Sequence, residues 1–558
     1  MGPSLKLVIL LAPVLVAYAF ITYIEVRLPL KGKRAPPGSP WPAPQAWKAS
    51  TLQRTLDPES FILTSDAAEE CDVVSKALAR YHKLVFVNRP MSVDNETLKD
   101  VLPALRVQVD KYKEEHCMYP QHKDDESYTL VVPEEGDAQL RSKTVWGALR
   151  GLETFSQLVY QDPVTKTYLI NVTSVDDFPR FSFRGLLLDS SRHFQPVKVL
   201  KQNLDAMAYN KLNVFHWHLV DDQSWPLQMA VYPNLTQSAY SPKHVYCRNE
   251  VQDIIEYARL RGIRVIPEID TPGHTQALGK IFPDLLTACY GNGTRGTPNY
   301  PEHAAFEMLD PTQNYTYDVM RDIFQEVVET FPDSYVHLGM DEVYYACWNS
   351  SPEIAAFMKE QGFDAVNQVE QYYVKRTLDN VQNLGAKYMI WQDPIDNDVK
   401  AARDTLVGIW KDTSLDSKLK TWQEYIMPIA KKGYQMVLSA PWYLNYISYG
   451  QDWKKYYETD PRDFNGTDEE KDLVVGGEAC MWGEYVDGTN LISRLWPRAS
   501  AVAERLWSSA EFNDTDDASF RLDQQRCRML RRGIPTQPIL NGFCGDYDWD
   551  LGEKYHVE

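Results

Sequence analysis

Tyr335-Val-His-Leu-Gly-Met-Asp-Glu-Val343 is a short apolar strand that runs directly into two adjacent carboxylates, Asp341 and Glu342. In barrels built from parallel strands and helices, the chemistry lies at the carboxyl ends of the strands. Two acids at such an end raise each other's pKa, so that one can keep its proton near neutral pH. A single Asp-Glu pair is also typical of a solvated turn, so the interpretation depends on how the other strands end.

The second half of the chain repeats this arrangement. After residue 180 apolar strands alternate with helices, and no Gly-rich dinucleotide fingerprint follows any strand. This alternation favours an α/β fold with a (β/α)8 TIM barrel over an open doubly wound sheet. The expected strands are 183–189, 212–221, 263–270, 335–342, 387–393, 406–412, 434–441 and 473–484, the expected helices are 196–209, 250–261, 315–330, 368–384 and 422–432, and a long loop, 282–314, is expected to cover one end.

The chain before the barrel divides into three further segments. Residues 1–24 are predicted as a secretory signal peptide, because Lys6 precedes an apolar run and Ala17-Tyr-Ala19 offers a small-residue cleavage site. The run is also long enough for an uncleaved anchor. Residues 25–58 are predicted as a linker or N-terminal segment, 59–179 as a smaller non-catalytic α+β domain, and 180–558 as the catalytic barrel.

Charge, sequons and cysteines indicate the compartment. The net charge of −19 argues against a nucleic-acid partner, whose phosphates need a basic surface, and it fits an acidic compartment. Eight cysteines suggest a few local disulfides whose pairing cannot be deduced from spacing. The N-glycosylation candidates, which favour a lysosomal or secreted protein, are Asn95, Asn171, Asn234, Asn292, Asn314, Asn349, Asn465 and Asn513.

Polar or aromatic side chains end nearly every expected strand. Aromatic walls with carboxylates and one arginine between them form a site suited to sugars, because pyranose faces pack on rings and hydroxyls bond to charged groups. A metal site is the main alternative, since His216 and His218 share one strand face near Asp221. There is no H-x-x-x-H helix, so no metal and no cofactor is expected.

Several blocks together resemble glycoside hydrolase family 20, the β-N-acetylhexosaminidases, and within it the lysosomal subunits. The blocks are His337-Leu-Gly-Met-Asp-Glu-Val, Asp270-Thr-Pro-Gly-His274, His216-Trp-His-Leu-Val-Asp221, Cys480-Met-Trp-Gly-Glu484 and Ala440-Pro-Trp-Tyr-Leu-Asn445. The block that starts at Thr144 resembles the N-terminal domain of that family. The resemblance implies removal of terminal β-linked N-acetylglucosamine or N-acetylgalactosamine from glycans, glycoproteins or glycolipids by a retaining, substrate-assisted mechanism without metal, and a homodimer or a heterodimer with a related subunit.

The resemblance also implies roles for single residues. Glu342 would be the general acid/base and Asp341 would orient the substrate's 2-acetamido group. The remaining substrate-binding residues would be Arg192, Asp221, His274, Trp391, Trp410, Tyr443, Asn445, Trp482 and Glu484. The implied disulfides are Cys71–Cys117, Cys289–Cys347 and Cys527–Cys544, which leaves Cys247 and Cys480 unpaired.

Two residues depart from the family pattern. Met340 stands where the family usually has glycine, and its long side chain is expected to crowd the rim of the site or shift the acid pair. Tyr446 follows Asn445 where the subunit that accepts charged substrates has arginine, which favours neutral substrates. The alternative function is a catalytically impaired glycan-binding recognition protein on the same fold, because fold alone does not fix function.

Overall fold

The computed structural model describes residues 31–87, 100–110, 117–162, 165–448 and 450–544. The expected signal peptide and Asn95 lie outside these residues. Within the described ranges, no helix combines the length and the apolar character that crossing a membrane requires.

A smaller α+β domain comes first. Its strands form one seven-stranded sheet in the order β1-β7-β4-β5-β3-β2, with β6 added beside β7. The elements are β1 (Ala46–Leu56), β2 (Ile62–Ser65), α1 (Asp72–Val85), β3 (Ala104–Val109), β4 (Tyr128–Val132), β5 (Ala138–Ser142), α2 (Val145–Leu158), β6 (Tyr160–Gln161) and β7 (Tyr168–Asp177).

The strand β1 lies in the segment that the sequence predicts as a linker. It pairs antiparallel with β7 at one edge of the sheet. Most of its side chains are exposed, and only the last three are buried. An edge strand with one poorly covered face lacks the apolar alternation that marks a strand, and for that reason the sequence gives no sign of it.

The predicted barrel is confirmed. Eight strands close in the order β10-β13-β14-β15-β16-β17-β8-β9, and every neighbouring pair runs parallel. Most strands are shorter than predicted, because their last polar residues lie in the loops. The strands are β8 (Phe183–Asp189), β9 (Val214–Val220), β10 (Arg264–Thr271), β13 (Tyr335–Gly339), β14 (Lys387–Trp391), β15 (Leu406–Ile409), β16 (Gln435–Leu438) and β17 (Val474–Met481).

Helices surround the barrel, and each of the five predicted segments is a helix within a few residues of its expected bounds, whereas the helices Pro352–Gln361, Arg498–Trp507 and Thr515–Arg531 were not predicted. They are α3 (Val197–Tyr209), α4 (Arg248–Arg259), α5 (Gln276–Gly279), α6 (Asn314–Thr330), α7 (Tyr345–Ser350), α8 (Pro352–Gln361), α9 (Val366–Asn383), α10 (Asp393–Asp396), α11 (Trp422–Lys431), α12 (Trp453–Glu458), α13 (Asp468–Asp472), α14 (Leu491–Leu495), α15 (Arg498–Trp507) and α16 (Thr515–Arg531).

The predicted loop 282–314 is not free of regular structure. It contains an antiparallel pair of short strands, β11 (Leu286–Ala288) and β12 (Phe306–Leu309). Cys289, directly after β11, is bonded to Cys347 in α7. The other two expected disulfides, Cys71–Cys117 and Cys527–Cys544, are also present, and Cys247 and Cys480 are free.

The interior of the barrel is layered. Near the amino ends of the strands, one apolar side chain from each strand joins a single cluster, and near the carboxyl ends the filling is mainly aromatic. Between these layers lies a belt of fully buried polar side chains: His216, Glu268, His337 and Glu478. The lower cluster consists of Phe183, Val214, Ile266, Tyr335, Met389, Leu406, Val437 and Val475.

A buried carboxylate joins the small domain to the barrel. Glu126 Oε2 accepts hydrogen bonds of 2.6 Å from Arg150 in α2 and from Arg184 in β8. Arg150 also donates to the carbonyl groups of Arg261 and Gly262, which follow α4. These groups are almost fully buried, so each charge depends on its partners for stabilisation.

Candidate active site

A tight turn after β13 carries the two adjacent acids. Gly339, Met340 and Glu342 all have positive φ angles, of 66°, 73° and 52°. Gly339 is required here, because a Cβ on it would lie 1.7 Å from Oδ1 of Asp270. That same oxygen accepts a 3.1 Å hydrogen bond from the backbone N–H of Met340. Asp270 therefore fixes the backbone immediately before Asp341.

The Met340 side chain does not occupy the mouth of the barrel. It is fully buried and belongs to the main apolar cluster of the barrel and its helices. The expectation that it crowds the rim is therefore wrong. The sequence could not show that residue 340 has a left-handed backbone conformation. Glycine adopts this conformation without strain, whereas at Met340 the burial of the side chain offsets the strain.

The two acids have different environments. The Asp341 side chain is 12 % exposed and the Glu342 side chain is 56 % exposed. Burial raises the pKa of Asp341 to about 7, and the nearby charges of Glu342 and Asp393 add to this effect. A hydrogen bond from His274 lowers the pKa of Glu342. Of these two adjacent acids, Asp341 therefore holds its proton more tightly in the unliganded site.

One imidazole faces both acids. Nε2 of His274 lies 3.4 Å from Glu342 Oε2 and 3.8 Å from Asp341 Oδ2. Its other nitrogen, Nδ1, lies 3.2 Å from Asp221 Oδ1. Burial alone would lower the pKa of His274, but Asp221 and Asp270 hold it well above the usual value. His274 is consequently a cation between carboxylates.

Arg192 is anchored on the same cluster. Its guanidinium group pairs with Asp189 at 2.9 Å and with Asp221 at 2.7 Å. It also lies over the ring of Trp482, 5.2 Å from the ring centre. Two carboxylates and an aromatic face hold this long side chain in one orientation, so its free N–H groups are preorganised for a ligand.

Aromatic rings form the opposite wall. Trp391, Tyr443 and Trp482 pack together, with ring centres 6.3 to 6.4 Å apart between Trp482 and each of the other two. Trp410 packs against this cluster and donates a 2.7 Å hydrogen bond to Asp393. Burial raises the pKa of Tyr443 well above its usual value, so its hydroxyl stays protonated and can donate.

The lip of the site is less constrained. The side-chain oxygen of Asn445 is buried and has no hydrogen-bond partner among the described residues. Tyr446 is 38 % exposed, and its ring stacks on Tyr443 at 6.0 Å. Burial raises the pKa of Tyr446, and Glu484 and Asp412 contribute, which shows that both acids lie near it. The guanidinium of Arg494 donates a 3.2 Å hydrogen bond to the backbone carbonyl of Asn445, so charges of both signs lie at the lip.

All of the residues expected at the site therefore lie at the carboxyl ends of the barrel strands. Residues 181–510, which include all of them, match the family model described as "Glycosyl hydrolase family 20, catalytic domain". This match covers more than half of the chain. The chain belongs to glycosyl hydrolase family 20. Residues 40–158, in the smaller domain, match the model described as "beta-acetyl hexosaminidase like".

Named relatives extend the likeness over nearly the whole length. The chain is 44 % identical to the beta-hexosaminidase subunit beta of Homo sapiens over 562 residues, 97 % of each chain. It is 46 % identical to the subunit alpha of Bos taurus over 519 residues, which are 90 % of this chain and 94 % of that one. The crystal structure of a Flavobacterium johnsoniae chitobiase superposes with a TM-score of 0.75 at 30 % identity, covering 88 % of this chain and 73 % of that one.

Three acids near the site of this family 20 hydrolase were not assigned a role from the sequence. Glu268 and Asp270 lie in the expected strand 263–270, and Asp270 also begins one of the blocks of the family resemblance, but neither was assigned a role. Glu478 lies inside the apolar strand β17, and its carboxylate contacts His216 at 3.1 Å and Ser439 at 3.0 Å. A carboxylate within an otherwise apolar strand was the signal that could have identified it.

Several groups of His, Asp and Glu residues lie close enough to hold a metal ion, among them His216, Glu268 and His337. Their nitrogen and oxygen atoms contact one another at 3.0 Å, which is hydrogen-bond distance. Nε2 of His216 has no hydrogen-bond partner among the described residues, and Nδ1 of His337 accepts a 3.0 Å hydrogen bond from the backbone N–H of Gly339, so these are close contacts around the Glu268 carboxylate and not a hydrogen-bonded metal-like shell. The absence of a metal requirement stays a prediction.

Proposed function

We propose that this hydrolase is an exo-β-N-acetylhexosaminidase that removes terminal non-reducing N-acetylglucosamine or N-acetylgalactosamine, with Glu342 as general acid/base and Asp341 as the residue that orients the acetamido group. Family membership and the hexosaminidase relatives support the reaction class. The observation that carries the assignment is the adjacency of one exposed and one buried carboxylate, both facing His274.

The adjacency excludes an ordinary arrangement of two catalytic carboxylates. Retaining glycosidases with a carboxylate nucleophile hold their two acids about 5–5.5 Å apart on opposite sides of the bond. Two consecutive residues in one turn cannot flank an anomeric carbon in this way. A substrate-assisted reaction needs only one acid near the leaving oxygen and one near the acetamido group, and the pair 341–342 suits this requirement.

In the first step, the acetamido carbonyl oxygen attacks the anomeric carbon while the glycosidic C–O bond breaks. Glu342 gives its proton to the leaving oxygen, and a cyclic oxazolinium ion forms. Asp341 accepts a hydrogen bond from the acetamido N–H group and stabilises the positive charge that develops on the nitrogen. Its Oδ1 is buried without a partner among the described residues, which leaves it available for that N–H group.

In the second step, Glu342 takes a proton from a water molecule that attacks the anomeric carbon. The bond to the acetamido oxygen breaks, and the sugar leaves with its original anomeric configuration. General acid/base assistance of this kind contributes about 10²–10⁴-fold to the rate.

The remaining residues bind and orient the sugar. Arg192 and Glu484 bind hydroxyl groups, Asp221 and His274 hold Glu342 in place, and Tyr443 donates to the acetamido oxygen. The acetamido methyl group and the sugar face pack on Trp391, Trp410 and Trp482, and Asn445 contacts the ligand at the lip.

Three substrates test the mechanism: 4-nitrophenyl N-acetyl-β-glucosaminide, its N-trifluoroacetyl analogue, and the β-glucoside without an acetamido group. We expect rapid turnover of the N-acetyl substrate and much slower turnover of the N-trifluoroacetyl analogue, because fluorine weakens the carbonyl nucleophile. The β-glucoside, which has no acetamido group, should show no measurable turnover. Glu342→Gln should lose about 10²–10⁴-fold in kcat, whereas Glu360→Gln on the exposed surface of α8 should change nothing. Equal rates for the two N-acyl substrates would refute substrate assistance.

The recognition-protein alternative predicts no turnover by purified wild-type protein on any of these substrates. It was motivated by the apolar N-terminal run and by Met340, and the Met340 side chain lies in the apolar core and not in the mouth. Binding of N-acetylglucosamine without hydrolysis would favour this alternative.

We also propose assembly and transport properties that follow from the relatives and the surface. The relatives are named as subunits alpha and beta, which supports a homodimer or a heterodimer with a related subunit. Three disulfides and the exposure of most sequons support a lysosomal or secreted protein. Asn171 differs, because its side-chain nitrogen donates 2.7 Å to Ser50 within the sheet. Glycosidase treatment followed by mass analysis tests this distribution, and light scattering tests the dimer.

A further inference from the structure

A single buried carboxylate at the centre of the barrel connects both halves of the candidate site. The Glu268 side chain is fully buried in β10. Its Oε2 lies 2.6 Å from His218 Nδ1 and 3.0 Å from His216 Nε2. Its Oε1 lies 3.0 Å from His337 Nδ1 and accepts a 3.0 Å hydrogen bond from the indole of Trp391. Four side chains from three other strands thus converge on it.

The first branch leads to the acid/base residue. His218 Nε2 lies 2.9 Å from Asp221 Oδ2, and Asp221 lies 3.2 Å from His274, which faces Glu342 at 3.4 Å. Burial opposes a charge on His218, but Glu268 and Asp221 hold its pKa well above the usual value. Glu268, His218, Asp221, His274 and Glu342 therefore alternate in charge along the branch. Each member is held by opposite charges on its neighbours.

The second branch leads to the acetamido side of the site. The hydrogen bond to Glu268 fixes the plane of the Trp391 indole, which packs against Trp482. His337 lies in β13, the strand that ends in the turn with Asp341. The Glu268 carboxylate therefore contacts both the wall proposed for the acetamido group and the strand that carries the acid pair.

Other charged groups surround this carboxylate. His216 from β9 also pairs with Glu478 of β17, and these two acids raise its pKa to about 9 against the effect of burial. The charge of Glu268 contributes to the raised pKa values of Asp270, Asp341 and Cys480. Its own pKa is held well below the usual value by the imidazoles of His218 and His216, whose pKa values are raised, in spite of burial.

We propose that Glu268 is a positioning residue that couples the orientation of Glu342, through His218, to the orientation of the acetamido-binding wall, through Trp391. This inference rests on the proposed function. Glu268 does not touch the substrate, because the aromatic layer lies above it. Its loss is expected to impair proton delivery and acetamido binding together.

Glu268→Gln is the direct test, because glutamine keeps the shape but replaces one acceptor oxygen with a donor that opposes the surrounding N–H groups. Glu478→Gln is the matched control: it removes another buried carboxylate of the same belt, which contacts neither His218 nor Trp391. Both variants are compared with the wild-type enzyme for kcat on N-acetyl-β-glucosaminides with good and poor leaving groups, for inhibition by the thiazoline analogue of the oxazolinium ion, and for thermal stability.

We expect Glu268→Gln to lower kcat at least 100-fold on poor leaving groups and much less on good ones, since good leaving groups need little protonation. It should also weaken binding of the thiazoline analogue at least tenfold. Glu478→Gln should lose less than tenfold in both measurements at a similar cost in thermal stability. Equal effects of the two variants, or a loss that does not depend on the leaving group, would overturn the proposal.

His218→Gln provides a test if Glu268→Gln does not fold. It interrupts the first branch only, so it should increase sensitivity to the leaving group and leave thiazoline binding unchanged. If both variants fold, their double variant should lose little more on poor leaving groups than Glu268→Gln alone, because they act in one branch. Full additivity would contradict the coupling. An inactive wild-type protein would instead refute the proposed function, so the two failures are distinguishable.

Discussion

Nε2 of His274 lies 3.4 Å from Oε2 of Glu342, and this contact gives the unliganded site the reverse of the protonation that its proposed chemistry needs. The hydrogen bond lowers the pKa of Glu342, while burial raises that of Asp341 to about 7. The reaction needs a protonated Glu342 and an ionised Asp341. Binding of the acetamido N–H to Asp341 would favour its ionised form and shift the shared proton to Glu342.

The first prediction concerns the pH dependence of kcat/KM, which reports the free enzyme. The acid pair keeps one proton up to about pH 7 and loses it above. We therefore expect kcat/KM to fall on the alkaline side with an apparent pKa near 7 that belongs to the pair. Initial rates at low substrate concentration between pH 3 and 9 measure it. A kcat/KM that rises above pH 7 would contradict the assignment.

The second prediction concerns Asp341→Asn. Because the folded-state pKa of Asp341 is raised from 3.8 to about 7, the native state binds this proton more tightly than the unfolded state. Stability from this group is complete below about pH 4 and is lost as the pH rises through 7, by roughly 4 kcal/mol at ~1.4 kcal/mol for each pKa unit. Asparagine cannot ionise, so the Asp341→Asn variant does not lose this stability as the pH rises.

We therefore expect Asp341→Asn to be nearly inactive, yet to have a higher Tm than the wild-type enzyme at pH 8 and no such advantage at pH 4. Thermal unfolding across this pH range measures the difference. Glu360→Gln serves as the control because its carboxylate is exposed. A Tm advantage that is the same at both pH values would show that ionisation of Asp341 is not its cause.

The third prediction concerns Met340→Gly, which restores the residue usual in the family. Glycine relieves a φ of 73°, worth about 1 kcal/mol. It also removes a fully buried side chain, and large-to-small changes of this kind cost about 2–5 kcal/mol. We expect net destabilisation in urea unfolding with KM little changed, and Met340→Leu to be tolerated. A more stable glycine variant would show that the backbone strain outweighs the packing.

The fourth prediction concerns substrate charge. Tyr446 brings no positive charge to the lip, and the negative charges of Glu484 and Asp412 act on it. Tyr446→Arg should raise the ratio of kcat/KM for a sulfated over a neutral N-acetylglucosaminide by roughly 2–5-fold, as expected of an exposed ion pair worth ~0.2–1 kcal/mol. Tyr446→Gln controls for loss of the ring. An unchanged ratio would show that the sulfate group of the bound substrate does not lie near residue 446.

The barrel could be predicted because its strands are mostly apolar and its helices have clear periodicity, and both signals are local. The acid pair was predictable because it ends such a strand. The turn that holds the pair was not predictable, since the backbone N–H of Met340, whose φ is positive, donates a hydrogen bond to Asp270, which is far away in sequence. The role of Glu268 could not be predicted either, because its four partners come from three other strands and meet only when the barrel closes.

The buried pairing of Glu126 with Arg150 and Arg184 has a practical consequence for anyone who wishes to trim or recombine this enzyme. A truncated version that starts at the barrel would expose Arg184 to a bare interface without its counter-ion, and a graft of a foreign first domain would need to bring a matching carboxylate with it. The two domains should therefore unfold in one cooperative transition, even though the proposed active site lies in only one of them.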